Sequence, residues 1–267
     1  MSGIVKTRAI VLSRNDWGNT SRIYSFLTLN RGRLNALLKG ARRVKGRPGL
    51  GGGLDLLSEN EILYYQRRAG LAVLAEWSEV STAAALGEDA VRFAAAEACA
   101  ELARECSVEE VGEPELYRLL AAAVGQVVAA ERMVPLTLSF ALGALRIAGL
   151  GPHVDSCAAC GAADGGARKD SAGLLSGEEG GLVCAGCARG PGRESGAPQL
   201  SAESVALLRA LVRLELPAAA RLRPSRRAEG VLLRAVSHYA SWRLERRIRG
   251  LLGLASIIAG LEAVGCR

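Results

Sequence analysis

Near its start the chain reads Ile4-Val5-Lys6-Thr7-Arg8-Ala9-Ile10-Val11-Leu12-Ser13. In an extended strand, one face of this stretch would carry Val5, Thr7, Ala9 and Val11. The opposite face would carry Lys6, Arg8 and Ile10. Because a period of two is typical of a half-buried strand, the stretch predicts that the fold begins with a β-sheet.

Four more short apolar stretches, separated by turn residues, follow before residue 80. The predicted strands are Ile4 to Ser13, Arg22 to Leu29, Arg33 to Lys39, Leu54 to Tyr65 and Leu71 to Val80. Turns are predicted at Asn15 to Asn19 and at Asn30 to Gly32. Five strands in so short a segment predict a closed barrel of the OB type, with Tyr24 and Phe26 inside it, and an SH3-like barrel fits almost as well.

After residue 80 the apolar residues recur with a period of about 3.6, which indicates helices. One apolar stripe is formed by Val91, Ala95, Cys99, Leu102 and Cys106. Further helices are predicted at Glu113 to Ala130, Pro135 to Leu150, Ala202 to Leu214 and Ala228 to Leu252. The predicted fold is therefore α+β, with the barrel in residues 1–80 and a helical domain in residues 81–267. A Gly-rich segment, residues 151–200, is inserted in the helical domain.

Charge is distributed unevenly along the chain. The net charge is +7 in residues 1–80, −7 in residues 81–200 and +7 in residues 201–267. A basic N-terminal module before an acidic middle indicates a polyanionic partner, most commonly nucleic acid. We expect the acids Glu97, Glu101, Glu105, Glu109 and Glu110, which recur at helical spacings, to form a solvated face.

The positive charge peaks between the third and fourth predicted strands. We predict phosphate contacts for Lys39, Arg42, Arg43, Lys45 and Arg47, because cations beside a strand face can follow a nucleic-acid backbone. Second candidates for the same role are Arg14, Arg31 and Arg33. Trp17, in a predicted turn, is the candidate for base stacking. The simpler alternative is a solvated loop without a ligand.

A second basic group lies near the C-terminus. Its members are Arg221, Arg223, Arg226, Arg227, Arg243, Arg246, Arg247 and Arg249. The sequence leaves open whether this group extends the nucleic-acid path or pairs with the acidic middle of the chain.

Two CxxC motifs lie in the Gly-rich segment, Cys157 with Cys160 and Cys184 with Cys187. Each can place two thiolates on one metal ion, and four thiolates complete a tetrahedral shell around Zn²⁺. Since four cysteines leave no open position for water, we predict that the zinc is structural and not catalytic. Disulfides are the alternative, and they are disfavoured in a reducing compartment.

Other reactive residues do not form a recognisable active site. Cys99 and Cys106 are predicted to be core residues, His153 to be a loop residue outside the metal site, and Cys266 to be incidental. The sequence contains no Walker loop, GxGxxG or HExxH motif. A zinc-dependent nuclease or deaminase is therefore disfavoured, and we expect a protein that is not an enzyme.

The ends of the chain do not predict export or membrane insertion. The first residues lack a continuous apolar region, and the apolar stretch 250–261 is shorter than the about 20 residues that a spanning helix needs. We therefore expect a cytoplasmic protein without a membrane partner.

The order of these parts resembles the RecO family of bacterial recombination mediators. The resemblance rests on Arg8-Ala9-Ile10-Val11-Leu12, Arg22-Ile23-Tyr24-Ser25-Phe26-Leu27-Thr28, Gly32-Arg33-Leu34, Lys39-Gly40-Ala41-Arg42-Arg43 with Arg47, and the four cysteines. The family usually has Gly-Glu followed by Asp in the first turn, where this chain has Gly18-Asn19 and Ser21.

The resemblance implies an OB-fold domain, a zinc-bearing helical domain and no catalysis. It also implies a nucleoid-associated protein that binds single- and double-stranded DNA and anneals complementary strands, including those coated by single-stranded DNA-binding protein (SSB). With RecR such a protein helps to load RecA. The SSB tail would contact the helical domain. The alternative function is an RNA- or ribosome-associated adaptor, because a basic loop does not distinguish DNA from RNA.

Overall fold

The computed structural model describes residues 3–41, 54–67, 70–163, 173–189 and 196–263. Its first five strands are β1 (Ile4–Trp17), β2 (Ser21–Thr28), β3 (Gly32–Leu38), β4 (Glu59–Tyr65) and β5 (Ala72–Ser81). They close a barrel in the order β1-β2-β3-β5-β4. Neighbouring strands are antiparallel except β3 and β5, which pair in parallel. The predicted five-stranded OB-type barrel is confirmed.

The barrel has its own apolar interior. Its buried side chains are Ala9, Val11, Tyr24, Phe26, Leu34, Ala36, Leu38, Leu54, Ile62, Tyr64, Ala72 and Leu74. Tyr24 and Phe26 are fully buried, and their rings stack with centroids 5.9 Å apart. The predicted alternation along β1 is confirmed, because Ala9 and Val11 lie in this interior.

Part of the outer face of the barrel is buried as well, against helices. Ile10 lies directly opposite Leu27 across the β1–β2 pair. Both side chains, together with Leu12, belong to the apolar core of the helical part. The barrel and the helices are therefore joined through one continuous apolar core.

The first hairpin differs from the prediction. Asn15, Asp16 and Trp17 continue β1 and are not part of a turn, which is formed instead by residues 18–20. An ion pair extends the strands, because Asp16 Oδ1 accepts from Arg22 Nε at 2.8 Å across the hairpin. Gly18 turns the chain at φ 59°, a left-handed conformation that glycine adopts without strain.

Helices form most of the remainder. After a 3₁₀ turn at Ala84–Glu88, they are α1 (Ala90–Cys106), α2 (Pro114–Ala129), α3 (Met133–Ile147), α4 (Ala185–Ala188), α5 (Ala202–Arg213), α6 (Leu216–Ala219), α7 (Arg226–Arg243) and α8 (Gly250–Ala263). The side chain of Asp89 caps α1 by accepting from the N–H groups of Val91 and Arg92. In the described ranges, no helix combines the length and apolar character needed to cross a membrane.

The single helix predicted from Ala228 to Leu252 is wrong. Helix α7 ends at Arg243, and Glu245 adopts a left-handed conformation with φ 52°. The N–H of Glu245 donates to the carbonyl of Trp242, and the N–H of Arg246 donates to that of Ser241. This is the Schellman pattern of a helix end, which uninterrupted apolar periodicity cannot reveal when glycine is absent.

The Gly-rich segment contains more regular structure than the sequence indicates. Three short strands, β6 (Gly173–Ser176), β7 (Gly181–Val183) and β8 (Gln199–Leu200), form a sheet in the order β7-β6-β8. Cys157, Leu174 and Val183 form a small apolar cluster separate from the main core. So small a core is consistent with a segment that needs additional stabilisation.

Glu97, Glu109 and Glu110 are exposed, as the predicted solvated face requires, but three of the five carboxylates also have partners distant in the sequence. Glu109 accepts from Asn35 Nδ2 at 2.8 Å, and Glu110 accepts from Gln66 Nε2 at 2.7 Å. Glu101 accepts from backbone N–H groups at the start of α8. These carboxylates join elements distant in sequence, and sequence periodicity does not show such contacts.

Candidate nucleic-acid interface and metal centre

The four cysteines of the two CxxC motifs come together. The Sγ atoms of Cys157, Cys160, Cys184 and Cys187 all lie within 4.8 Å of one another. The first pair lies on a turn closed by Gly161, whose N–H donates to the carbonyl of Cys157 at 2.8 Å. Gly161 has φ 72°, a left-handed conformation that glycine adopts without strain. The second pair lies at the start of α4, where Cys184 is the N-cap.

The environment of the cluster favours a thiolate at Cys157. Burial acts to raise the pKa of this thiol, but hydrogen bonds from the backbone N–H groups of Cys184, Cys160 and Ala159 lower it to about 6. The distance from the Cys184 nitrogen to Cys157 Sγ is 3.3 Å. In contrast, hydrogen bonding to the sulfur atoms of Cys160 and Cys184 raises the pKa of Cys187 to about 12. Adjacent sulfurs cannot all ionise without a cation to balance them.

The donor set fits a metal ion. Four convergent sulfur atoms suit a tetrahedral divalent cation of borderline softness, and Zn²⁺ is the most common occupant of such sites. His153 does not join them, because its Nε2 lies 2.7 Å from Ser156 Oγ. The cluster can therefore hold a metal through four thiolates, which would link the two halves of the Gly-rich segment.

The two cysteines of α1 are core residues, as predicted. Cys99 and Cys106 are both buried. Burial raises the pKa of both thiols, that of Cys106 to about 12 with contributions from Glu113 and Glu105. Neither is a thiolate at neutral pH, so neither is suited to bind a metal or act as a nucleophile.

The predicted phosphate-binding residues lie only partly within the described structure. Lys39 is exposed just beyond the end of β3. Arg42, Arg43, Lys45 and Arg47 lie outside the described residues. The described residues on both sides of this run belong to the barrel: β3 ends at Leu38, and the N–H of Leu54 donates to the hydroxyl of Tyr24 at 3.3 Å.

Other candidates from the barrel are spread over different faces. Arg14 and Arg31 are exposed, on β1 and in the β2–β3 turn. Trp17 is 60% exposed at the end of β1. Arg14 lies opposite Tyr24 and Trp17 opposite Ser21, so strand alternation places them on opposite faces. A single strand of nucleic acid that contacted both Arg14 and Trp17 would have to pass around the β1–β2 hairpin.

Arg33 is held by the helical part of the molecule. Its Nη1 donates to the carbonyl of Arg104 at 3.0 Å, and its Nη2 lies 3.5 Å from Glu109 Oε1. Only 27% of the side chain is exposed. These contacts use the guanidinium to join β3 to α1, which leaves Arg33 less available for phosphate than Arg14 or Arg31.

Five of the eight C-terminal arginines fall into two groups. Arg223 and Arg226 pair with Glu131 and Glu229 at 2.7 and 3.2 Å. Arg246, Arg247 and Arg249 instead expose their side chains after α7. Trp242, at the end of α7 just before them in the sequence, is 45% exposed, and sequence reasoning missed it. The position of Trp242 just before four arginines in the sequence could have identified it as a candidate for base stacking.

A groove of about 770 Å³ lies between α2, α3 and the α5–α6 connection. Leu119, Leu142 and Leu216 contribute apolar lining, and Arg146 and Arg213 contribute positive charge. Arg146 pairs with Glu115 at 2.8 Å and Arg213 pairs with Asp155, but all four side chains are more than half exposed. An apolar groove with exposed cations suits a peptide that is both apolar and acidic.

Comparisons with known proteins cover both parts of the chain. Residues 1–82 match the family model described as "Recombination protein O N terminal", and residues 87–252 match "Recombination protein O C terminal". A DNA repair protein RecO of Anaeromyxobacter sp. (strain K) is 37% identical over 91% of this chain and 94% of its own. The RecO protein of Anaeromyxobacter dehalogenans (strain 2CP-C) is 38% identical over 77% of this chain and 78% of its own. That of Myxococcus xanthus is 34% identical over 89% of this chain and 93% of its own.

Proposed function

The chain belongs to the RecO family, and on this premise we propose that it is a DNA-binding mediator of recombinational repair. It binds single- and double-stranded DNA and anneals complementary strands, including strands coated by SSB. With RecR it helps to load RecA. It acts in the cytoplasm, at the nucleoid, through binding and not through catalysis.

The observation that carries this proposal is a closed five-stranded barrel whose sequence contains the most basic stretch of the chain, between β3 and β4. Eleven of the first 50 residues are Lys or Arg, and only Asp16 is acidic. Barrels of this type bind oligonucleotides with a strand face and adjoining loops. Lys39, Arg42, Arg43, Lys45 and Arg47 are the proposed phosphate contacts, with Arg14 and Arg31 next to them in rank.

The physical basis of annealing is charge neutralisation. Two complementary strands repel each other through their phosphates, and cations that neutralise both backbones release counterions and remove this barrier. Stacking of bases on an exposed ring such as Trp17 tolerates any sequence and leaves the bases free to exchange partners. No covalent chemistry is needed.

We assign a structural Zn²⁺ to Cys157, Cys160, Cys184 and Cys187. The metal would neutralise the converging thiolates and stabilise a segment that has only a small apolar cluster of its own. All four positions of a tetrahedral shell would be filled by the chain, so this site would not activate water.

For the acidic, apolar tail of SSB we propose the groove between α2, α3 and the α5–α6 connection. Apolar side chains of the tail would contact Leu119, Leu142 and Leu216. Its carboxylates would replace Glu115 as the partner of Arg146 and Asp155 as the partner of Arg213. Both exposed ion pairs are weak enough to be replaced in this way.

The test is annealing of two complementary labelled oligonucleotides, each precoated with SSB, with and without the protein. We expect the protein to accelerate annealing, and the double variant R42E/R43E to lose most of the acceleration. A variant R146E/R213E should anneal naked strands normally but SSB-coated strands slowly. Absence of acceleration by the unmodified protein would contradict the mediator function.

A competition experiment distinguishes the adaptor alternative. The barrel's cations alone do not separate DNA from RNA, since both carry the same phosphates. Retention of single-stranded DNA against an excess of RNA of the same sequence, across a salt series, would support the mediator. Equal retention of both would support the adaptor.

A further inference from the structure

The turn between α7 and α8 carries a concentrated positive charge. We call residues 242–249 the α7–α8 corner, and they read Trp242-Arg243-Leu244-Glu245-Arg246-Arg247-Ile248-Arg249. Four arginines and one glutamate give this short segment a net charge of +3. Arg246, Arg247 and Arg249 are exposed, and within the described residues none of their guanidinium groups pairs with a carboxylate.

The backbone of the corner is held in place by buried contacts. Ser237, only 1% exposed, donates its hydroxyl to the carbonyl of Ile248 at 2.9 Å. The N–H of Ile248 donates to the hydroxyl of Ser241 at 3.0 Å, and the Ile248 side chain is buried. The carboxylate of Glu101 accepts from the N–H groups of Arg249 and Gly250. The flanking arginines therefore project from a fixed turn.

Trp242 is fixed at its base by the small sheet of the Gly-rich segment. Gly177, after β6, approaches it so closely that a Cβ added there would lie 2.5 Å from Trp242 Cβ. Trp242 as a whole nevertheless remains 45% exposed. An exposed indole and three exposed arginines in the same eight-residue corner provide the two elements that bind single strands, a stacking surface and cations for the backbone.

The corner is adjacent to the barrel's own basic surface. A groove of about 470 Å³ runs between the barrel, α1 and α8, and both Arg14 of β1 and Arg249 of the corner line it. Glu97 and Glu101 also line this groove, and Glu101 is engaged with backbone N–H groups. Two basic surfaces, one on the barrel and one at the corner, therefore flank a single groove.

We propose that the α7–α8 corner is a second binding surface for single-stranded nucleic acid, which holds one strand while the barrel holds its complement. Trp242 stacks on a base, and Arg246, Arg247 and Arg249 contact phosphates. This inference rests on the proposed function in DNA annealing, to which it adds the location of the second strand.

The experiment compares R246E/R247E with R118E/R234E, a control with the same change in charge at two exposed arginines outside both basic groups. We expect the corner variant to anneal naked complementary 30-mers about tenfold more slowly than the control, because lost phosphate contacts leave the second backbone unneutralised. Its affinity for a single labelled (dT)15 should fall less than about threefold, since the barrel retains that strand. Thermal unfolding of both variants checks that they are folded.

Fluorescence provides an independent measurement at the corner itself. The chain has three tryptophans, so the variant W17F/W77F leaves Trp242 as the only tryptophan, whose emission can be excited selectively over that of tyrosine. Saturating (dT)15 should quench its emission, and adding R246E/R247E should abolish the quenching. A third variant, W242L, preserves an apolar cover over Gly177 but removes the stacking ring, and it should also slow annealing.

The outcomes separate this inference from the proposed function. If the unmodified protein anneals strands, but R246E/R247E matches its control and Trp242 emission does not respond to (dT)15, the second surface is wrong and the mediator function stands. If the unmodified protein does not anneal strands at all, the proposed function itself fails.

Discussion

Gly250 donates its backbone N–H to the carboxylate of Glu101 at 2.6 Å, although the two residues are 149 positions apart. The same carboxylate accepts from the N–H of Arg249 at 3.1 Å. Glu101 on α1 thereby supplies the N-terminal cap of α8, which has no capping side chain of its own immediately before it. This contact provides a hydrogen-bond acceptor for two N–H groups at the start of α8, which have no acceptor within the helix itself.

The first prediction concerns this cap. Replacing Glu101 with Ala should lower the free energy of unfolding by about 1–2 kcal/mol, because two N–H groups lose a charged acceptor near a helix N-terminus. The matched control is E97A, one turn earlier on the same helix, which should change it by less than about 0.5 kcal/mol. Urea unfolding measures both, and equal values for the two variants would show that the cap is unimportant.

The second prediction concerns the close approach of Gly177 to Trp242. The variant G177A should lower the free energy of unfolding by about 1–3 kcal/mol. Its Cβ would lie 2.5 Å from Trp242 Cβ, so the backbone at residue 177 or at residue 242 would have to move. Gly125, in α2 with nothing within 4 Å of an added Cβ, provides the control. G125A should raise the free energy of unfolding by up to about 1 kcal/mol through helix propensity. Thermal unfolding that ranks the two variants in the opposite order would refute the described packing.

The third prediction concerns the metal centre. The purified protein should contain one Zn²⁺ per chain, and C157S or C184S should lose it, since the remaining three cysteines cannot complete the shell. Metal content by mass spectrometry and thermal unfolding should change together. A chelator should lower the melting temperature of the unmodified protein but not that of C157S. Unchanged stability of C157S would mean that the metal is dispensable.

The fourth prediction concerns the basic loop after β3. R42E/R43E should weaken binding to single-stranded DNA and reduce the salt dependence of binding. Each lost phosphate contact makes the negative slope of log K against log salt shallower by about 0.7. The charge-matched variant R118E/R234E should leave the slope near that of the unmodified protein. A slope that R42E/R43E does not alter would remove these two residues from the interface.

Local patterns predicted most of the fold. The period of two along β1, the period of 3.6 along α1 and the spacing of Cys157, Cys160, Cys184 and Cys187 all correspond to observed elements, because each pattern reflects burial or ligand geometry within a few residues. The domain boundaries and the nucleic-acid contacts stay predictions.

The incorrect predictions have a common physical origin in contacts between distant residues. The helix break at Glu245 depends on Ile248 being held by Ser237 and Ser241, and no glycine marks it. Glu101 and Glu109 recur at the spacing of a solvated face, but each has a partner far away in the sequence. The sequence likewise indicates a free cation at Arg33, but in the structure its guanidinium donates to the carbonyl of Arg104 on α1.

The apolar outer face of the barrel has a consequence for how the molecule can be divided. Ile10, Leu12 and Leu27 are covered by helices, so a fragment that ends after β5 would expose all three to water. Such a fragment should self-associate, and heating the intact chain should melt barrel and helices in one cooperative transition. The same coupling means that the barrel cannot swing independently of the helices, so any strands bound on the two parts are brought together at a separation set by the protein and not by interdomain diffusion.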